Sequence, residues 1–407
     1  MTQFALFDRE PSAGIDMVAA LADFRAFGER SRRRRIDGVD YVENAFWTAG
    51  QRQSHALHEI SYRACFKAQL PAFFIERLTR SGDTVFDPFM GRGTTPLQAT
   101  LMGRRAIGGD INPLSVLLVR PRLTPPTAAA VSAALASVDW TRGAVETESL
   151  LAFYHPTTLA KLEALRLWLA DRLPPDAPGV DPVADWIRMV ALNRLSGHSP
   201  GFFSGRSMPP NQAVSIRAQE KINEKLGQRP PVRDIVAIIE KKTRSLLRDG
   251  APTQPANARL YVGPAWDART IEDGGVDLVV TSPPFLDIVQ YAADNWLRCW
   301  FAGIDPEQVR IDSHRALEGW TEMVRRVLAE LARVVRPGGH VAFEVGEVRG
   351  GKILLEQQVW RAAEGLPFDR LCVMVNAQQF TKTANCWGVS NGSKGTNTNR
   401  IALFRRY

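Results

Sequence analysis

At 407 residues, 45% of them apolar and 23% charged, the chain is long enough to bury one large core or two moderate ones. Fifty-one Lys and Arg against 43 Asp and Glu leave a net charge of +8 and a pI near 9.5, which suits a polyanionic partner as readily as it serves solubility. The four cysteines form no Cys-x-x-Cys pair, no apolar run reaches the roughly 18 residues of a membrane span, and the acid-bearing N-terminus lacks the form of a signal peptide, so we expect no disulfide framework, metal or membrane, and a cytoplasmic home.

Ile15 to Phe27 carries apolar residues at helical spacing and runs into Arg30-Ser31-Arg32-Arg33-Arg34-Arg35, which reads equally as a phosphate-binding arm or a solvated helix end. From Tyr41 to about Pro125 the pattern predicts the first half of a doubly wound sheet. Thr84-Val85-Phe86-Asp87 is a short strand, Pro88 to Thr95 a turn containing Gly91 and Gly93, and Pro96 to Met102 a helix with proline suited to its first turn. Glycines let backbone approach a ligand closely, and a helix N-terminus offers unpaired N–H groups. Arg105 to Asp110 reads as a second strand ending in an acid. An acid about 20 residues beyond such a turn is placed to grip a ribose hydroxyl. The turn lacks the Gly-Lys-Ser/Thr of a nucleoside-triphosphate loop, which argues against phosphate transfer.

Leu123-Thr124-Pro125-Pro126 marks a break, and the next strand-like segment is Ala258 to Val262. The stretch between them is mostly helical. Leu159, Leu162, Leu165 and Leu169, then Trp186, Met189 and Val190, are spaced for buried faces, with a loop at 173–179. From Ile187 to Asn257 twelve Lys/Arg stand against five Asp/Glu. The loop 196–212 mixes hydroxyls, aromatics, Arg206 and the amides Asn211 and Gln212. Arg suits guanine and Asn or Gln suits adenine in the major groove, while a surface loop over a buried Phe pair is the plainer reading. A lone His198 there reads as structural.

Val276 to Thr281 is a β-branched run suited to a strand covered on both faces. It stops at Ser282-Pro283-Pro284-Phe285, where two prolines stiffen the turn and leave its carbonyls free to accept. A serine hydroxyl, a rigid carbonyl and an aromatic face suit a planar base with an exocyclic amine. Further on, 380–400 is dense in hydroxyls, amides and lysines before a strand at Ile401 to Phe404, and reads as a DNA-contacting or base-pocket loop.

Taken together, these segments resemble the S-adenosylmethionine-dependent amino-group DNA methyltransferases. Asp87-Pro88-Phe89-Met90-Gly91-Arg92-Gly93-Thr94-Thr95 is similar to that family's cofactor loop, and Thr281-Ser282-Pro283-Pro284-Phe285 to its catalytic loop. Phe66 to Pro71 resembles the opening helix near the methionine moiety, and Asp110-Ile111-Asn112-Pro113 the segment after the second strand. Gly263 to Ala268 is similar to the segment whose acid, here Asp267, meets the cofactor's adenine. Leu331 to His340 looks like the helix-turn-strand leading to the fifth strand.

The resemblance implies an α/β, Rossmann-like class I methyltransferase sheet with a mostly helical insertion. It divides the chain into an N-terminal helix and basic arm (1–40), a first core half (41–125), a helical target-recognition insertion (126–257) and a catalytic half (258–407). The insertion here precedes the Asp267 segment, a departure from the family order. The implied cofactor-binding residues are Asp87, Pro88, Phe89, Gly91, Gly93, Thr94, Asp110, Ile111 and Asp267. Ser282, Pro283, Pro284 and Phe285 would act on the base, and Arg206, Asn211, Gln212, Lys241 and Lys242 would hold DNA. None of Cys65, Cys299, Cys372 or Cys386 sits in a Pro-Cys turn, so ring-carbon methylation is disfavoured. Serine in this loop favours cytosine N4. Adenine N6, an RNA substrate and an inactive nucleic-acid-binding module stand as alternatives. Double-stranded DNA is the expected partner, and a separate cognate restriction endonuclease a further candidate.

Overall fold

The computed structural model describes residues 16–47, 54–62, 65–174, 180–208, 210, 212–252, 258–284, 286, 291–309, 314, 316–348, 353–377 and 398–407. Among these, eleven strands occur in chain order. They are β1 (Arg32–Ile36), β2 (Val39–Asn44), β3 (Thr84–Asp87), β4 (Arg105–Asp110), β5 (Ala258–Val262), β6 (Val276–Thr281), β7 (Val335–Val345), β8 (Glu347–Val348), β9 (Ile353–Leu354), β10 (Phe368–Ala377) and β11 (Thr398–Arg406). β8 and β9 form a separate ribbon. The other nine make one sheet in the order β1-β2-β10-β11-β7-β6-β3-β4-β5, with only β1 and β11 antiparallel to their neighbours. All of β3 and nearly all of β6 are buried, which is why both appear in the sequence as short unbroken apolar runs. The chain builds outward from β3 through β4 to β5, then returns to β6 on β3's other side. The β3–β6 border is therefore a topological switch point, where a crevice opens at the carboxyl ends of the strands.

Helices α1 (Met17–Ala22), α2 (Gln69–Leu78), α3 (Thr94–Leu101) and α4 (Pro113–Leu123) accompany the first strands. Leu70, Phe73 and Phe74 of α2 pack on Val280, Leu278 and Leu403 to close one face of the sheet. The insertion supplies α5 (Ala128–Ala136), α6 (Pro156–Arg172), α7 (Pro182–Leu192), α8 (Ile216–Leu226) and α9 (Ile235–Leu246). Its expected stripes, Leu159 to Leu169 and Trp186 to Val190, are buried together with Leu114 and Leu118 of α4, so the insertion shares a core with the first half of the sheet. α10 (Tyr291–Ala302), which follows β6 in the chain, adds Leu297 and Phe301 to that core, and its Trp296 indole N–H donates to the Val214 carbonyl at 3.1 Å. α11 (Leu317–Val334) and α12 (Leu355–Ala362) close the sheet's other face. The helix-turn-strand expected at 331–340 is tighter than anticipated. α11 runs straight into β7, and the Pro-Gly-Gly stretch is absorbed where the β6–β7 register shifts.

The N-terminal reading needs correction. The helix ends at Ala22, and Arg32 to Arg35 form not a helix end but the exposed edge strand β1. Its cause is the Asp37-Gly38 pair, both at positive φ, which turns the chain into β2 with Ile36 opposite Val39. β2 then runs parallel to β10, so the segment from Tyr41 extends the edge of the sheet opposite to the strands it was expected to join. No described helix is long and apolar enough to cross a membrane, and no cluster of metal-ligating side chains occurs among the described residues.

Candidate active site

At the switch point lies a cleft of about 850 Å³. Asp87, Pro88, Phe89, Gly91, Thr94, Asp110 and Ile111 line one side of it, and Ser282, Pro283 and Pro284 line another. The two sequence motifs, almost 200 residues apart, thus face one space. The glycine turn is held by Asp110. Its Oδ2 accepts from the Gly91 N–H and its Oδ1 from the Asn112 N–H, both at 2.8 Å, and burial raises its pKa. Ser115 hydrogen-bonds the same carboxylate, and since a carboxylate has about four acceptor positions, capacity for a ligand contact remains. Gly93 lies behind the lining. It caps α3 at φ 75, and a Cβ there would stand 2.3 Å from Val119, so this glycine permits close helix packing rather than ligand contact.

Two arginines missed in the sequence fasten the opening segment to this turn. Arg92 donates to the Ile60 carbonyl at 2.9 Å and the Phe66 carbonyl at 3.2 Å, while buried Arg122 donates to the carbonyls of Leu57 and Arg92. Phe66, Tyr62 and Cys65 therefore reach the cleft wall. Burial pushes the Cys65 thiol up, which disfavours the thiolate that carbon methylation requires. Asp267 does not line the cleft. Pro264, Ala265 and Trp266 do, and the Asp267 carboxylate pairs with Arg269 at 2.7 Å.

The Ser282-Pro283-Pro284 turn is anchored from behind. The Trp320 indole N–H donates to the Pro284 carbonyl at 2.8 Å, whereas no described group donates to the Pro283 carbonyl. Ser282 hydrogen-bonds Glu344 at the end of β7, a residue the sequence reading passed over, and the Asn399 amide donates to the same carboxyl at 2.9 Å. Asp87 also turns inward. Its Oδ1 accepts from Thr281 Oγ1 at 2.6 Å and from the Phe89 N–H at 3.1 Å, tying β3 to β6. Phe285 lies outside the described residues.

Burial raises both Asp87 and Glu344 to about 7, from ordinary values of 3.8 and 4.5. An acid raised on folding contributes stability that is fully present below its unfolded value and is lost as pH rises through the folded one. Each contribution is on the order of 3 kcal/mol. Thermal unfolding midpoints should therefore fall between about pH 4 and pH 8, and Asp87→Asn, which keeps the accepting oxygen, should flatten the decline. A midpoint that rises across that range would refute the assignment.

Of the DNA-contact candidates, Arg206 and Lys241 are exposed, Gln212 is half-buried, and Asn211 lies outside the described residues. Lys242 is mostly buried and pairs with Glu59 at 3.5 Å, so it braces α9 instead of presenting its charge. Within the 196–212 loop, Phe202 and Phe203 are buried and Arg194 stacks on Phe202 at 4.2 Å, while His198, Pro200, Arg206 and Met208 are exposed.

Comparison with known proteins bears on what this cleft belongs to. The family model described as DNA methylase, of the N6/N4 amino type, matches residues 28–118, from the β1–β2 hairpin through the glycine turn to α4. Over these residues the chain is similar to this DNA methylase family. It is 41% identical over 69 residues to the Type II methyltransferase M.MjaII of Methanocaldococcus jannaschii, covering 17% of this chain and 13% of that one. It is 22% identical over 298 residues to the Type II methyltransferase M.BsoBI of Geobacillus stearothermophilus, covering 63% and 55%. The chain thus spans about half the length of the longer-matched relative and a small part of the other. Among solved structures, a TehB-like SAM-dependent methyltransferase from Corynebacterium glutamicum overlays 85% of this chain and 90% of its own at a TM-score of 0.30 and 11% identity.

Proposed function

We propose that this chain is an amino-group DNA methyltransferase that transfers a methyl group from S-adenosylmethionine to the exocyclic amine of a flipped base in double-stranded DNA, cytosine N4 favoured. The observation that carries the reading is that Ser282-Pro283-Pro284 and the Gly91–Asp110 cradle face one cleft. The residues present fit the cofactor. Asp110 keeps acceptor capacity for ribose hydroxyls, Ile111 and Trp266 offer apolar faces to a purine, and the bare backbone at Gly91 admits the amino-acid end beside Phe66. When bound, the cofactor supplies an electrophilic methyl group.

The protein's task is to make a poor nucleophile adequate. The lone pair of an exocyclic amine is delocalised into its ring, and hydrogen bonds from its N–H groups to fixed acceptors localise it. The Ser282 oxygen and the Pro283 carbonyl are two such acceptors on a turn stiffened by prolines and by Trp320. Holding amine and donor together supplies much of the rate. Extracting the base costs a few kcal/mol, and Phe285 is proposed to recover part of that by stacking. Serine in the loop supports cytosine N4 over adenine N6. The test is incubation with labelled methyl donor and genomic DNA or RNA, followed by identification of the modified nucleoside. N4-methylcytosine in DNA is expected, and an unmodified pool would overturn the reading.

The exposed residues of the insertion extend the proposal to sequence reading. Arg206→Ala should relax specificity at one base position, at a cost of roughly 1–3 kcal/mol, whereas Lys241→Ala should weaken binding to all sequences and flatten its salt dependence. Methylation mapped across genomic sites separates the two. A wild-type site pattern in Arg206→Ala would remove the loop as reader.

A further inference from the structure

The reaction leaves a proton to be disposed of, and the carboxyl behind Ser282 has no assigned role. Glu344 and Ser282 sit at the carboxyl ends of adjacent parallel strands, Thr281 of β6 lying opposite Phe343 of β7. The Glu344 side chain is 3% exposed and forms no ion pair among the described residues. Its contacts are the Ser282 hydroxyl, which donates to it, and the Asn399 amide at 2.9 Å. The charged groups on the elements packed against it are engaged elsewhere. Asp87 is bonded to Thr281 of β6, and Arg400 of β11 pairs with Glu356 of α12 at 2.8 Å. A buried acid without a cation partner is costly to keep unless it is neutral or serves chemistry. The serine between it and the cleft makes it reachable from the cleft by one hydroxyl.

We propose that Glu344 is the proton acceptor of the reaction, acting through Ser282, and is thus a positioning and relay residue behind the serine that meets the base. The proposal rests on the methyltransferase reading above. As the N–CH₃ bond forms, the bonding pair of the broken S–CH₃ bond stays on the donor sulfur and the amine nitrogen becomes cationic. It releases one N–H proton to Ser282 Oγ, the N–H electrons returning to nitrogen as a lone pair, while the Ser282 O–H proton passes to a Glu344 carboxylate oxygen. Serine ends unchanged, Glu344 ends as a carboxylic acid, and its proton later leaves to water. The Asn399 amide, donating to Glu344 Oε1, restrains the carboxyl beside the serine. Because burial holds Glu344 near 7, enough carboxylate is present at neutral pH for this role, and more as pH rises.

Two measurements test it. In the full-length protein, kcat for methyl transfer to duplex DNA should rise with pH through about 7. Glu344→Gln should abolish that rise and lower kcat by about 100-fold, with KM and calorimetric cofactor affinity unchanged, and Glu344→Asp should restore part of the rate and the pH arm. Loss of rate with the arm intact would mark Glu344 as structural and overturn the proposal, as would wild-type behaviour. A carboxyl-carbon NMR titration provides a readout free of turnover. Glu344 should titrate near 7, and higher in Ser282→Ala, where its donor is gone. An unmoved titration in Ser282→Ala overturns the coupling even if Glu344→Gln fails to fold. Methyl transfer to DNA by the wild type alongside a negative result here would leave the function standing and remove the relay alone.

Discussion

Ser282→Ala is expected to lower methyl transfer by about 10²–10³-fold, the usual cost of deleting one fixed hydrogen-bonding group aimed at the reacting centre. Cofactor affinity should stay within about twofold, because the cradle of Asp110, Gly91 and Asn112 makes no hydrogen bond to this serine. The split between rate and binding is the informative quantity. Single-turnover methylation with saturating donor reads the chemical step, and calorimetry reads the affinity. Full activity in the variant would remove Ser282 from the mechanism and the Glu344 relay with it. Loss of both activity and affinity would show instead that the serine shapes the whole cleft. Ser282→Thr keeps the hydroxyl but adds a methyl to a tightly packed turn, so activity retained there would confirm that the oxygen is what matters.

What could be read from the chain divides along physical lines. The strand-turn-helix around Gly91 and the strand ending at Ser282 were legible because local chemistry dictates them. Each is a short β-branched run, buried on both faces, stopped by residues with fixed backbone preferences. The insertion's stripes were legible for the same reason, since helical spacing survives whatever partner it packs on. The arginine-rich β1 was not, because four successive like charges masked a strand that the Asp37-Gly38 turn alone announces. Glu344 was invisible for another reason. Within β7 it is one polar residue in an apolar run, and only the pairing with β6 brings it behind Ser282. Lys242 shows the converse. Its charge suggested phosphate, but Glu59 from a distant part of the chain claims it. Local motifs carried the cofactor turn, whereas its support by Arg92, Arg122 and Trp320 depends on long-range contacts that no spacing encodes.

Asp110→Ala should cost the cradle more than a single ligand contact. In the folded chain the carboxylate already satisfies two backbone donors, Gly91 N–H and Asn112 N–H, and the substitution leaves both facing an apolar gap. Stranded buried donors cost about 1–3 kcal/mol each, and a charged acceptor proposed for the ribose hydroxyls is lost as well. Affinity for S-adenosylmethionine is therefore expected to fall by about 100-fold or more, roughly 3 kcal/mol. The two roles of the acid predict different patterns. If Asp110 both braces the turn and binds ribose, the unfolding temperature of the ligand-free protein drops and the affinity of the remaining folded protein drops further. If it is a brace alone, stability falls while calorimetry on the folded fraction returns the wild-type affinity, and the ribose must then be held by another group in the cleft. Asp110→Asn does not rescue either role, because its NH₂ faces one of the two backbone donors that the carboxylate accepts. A variant with unaltered stability and unaltered affinity would contradict the geometry at Gly91 itself.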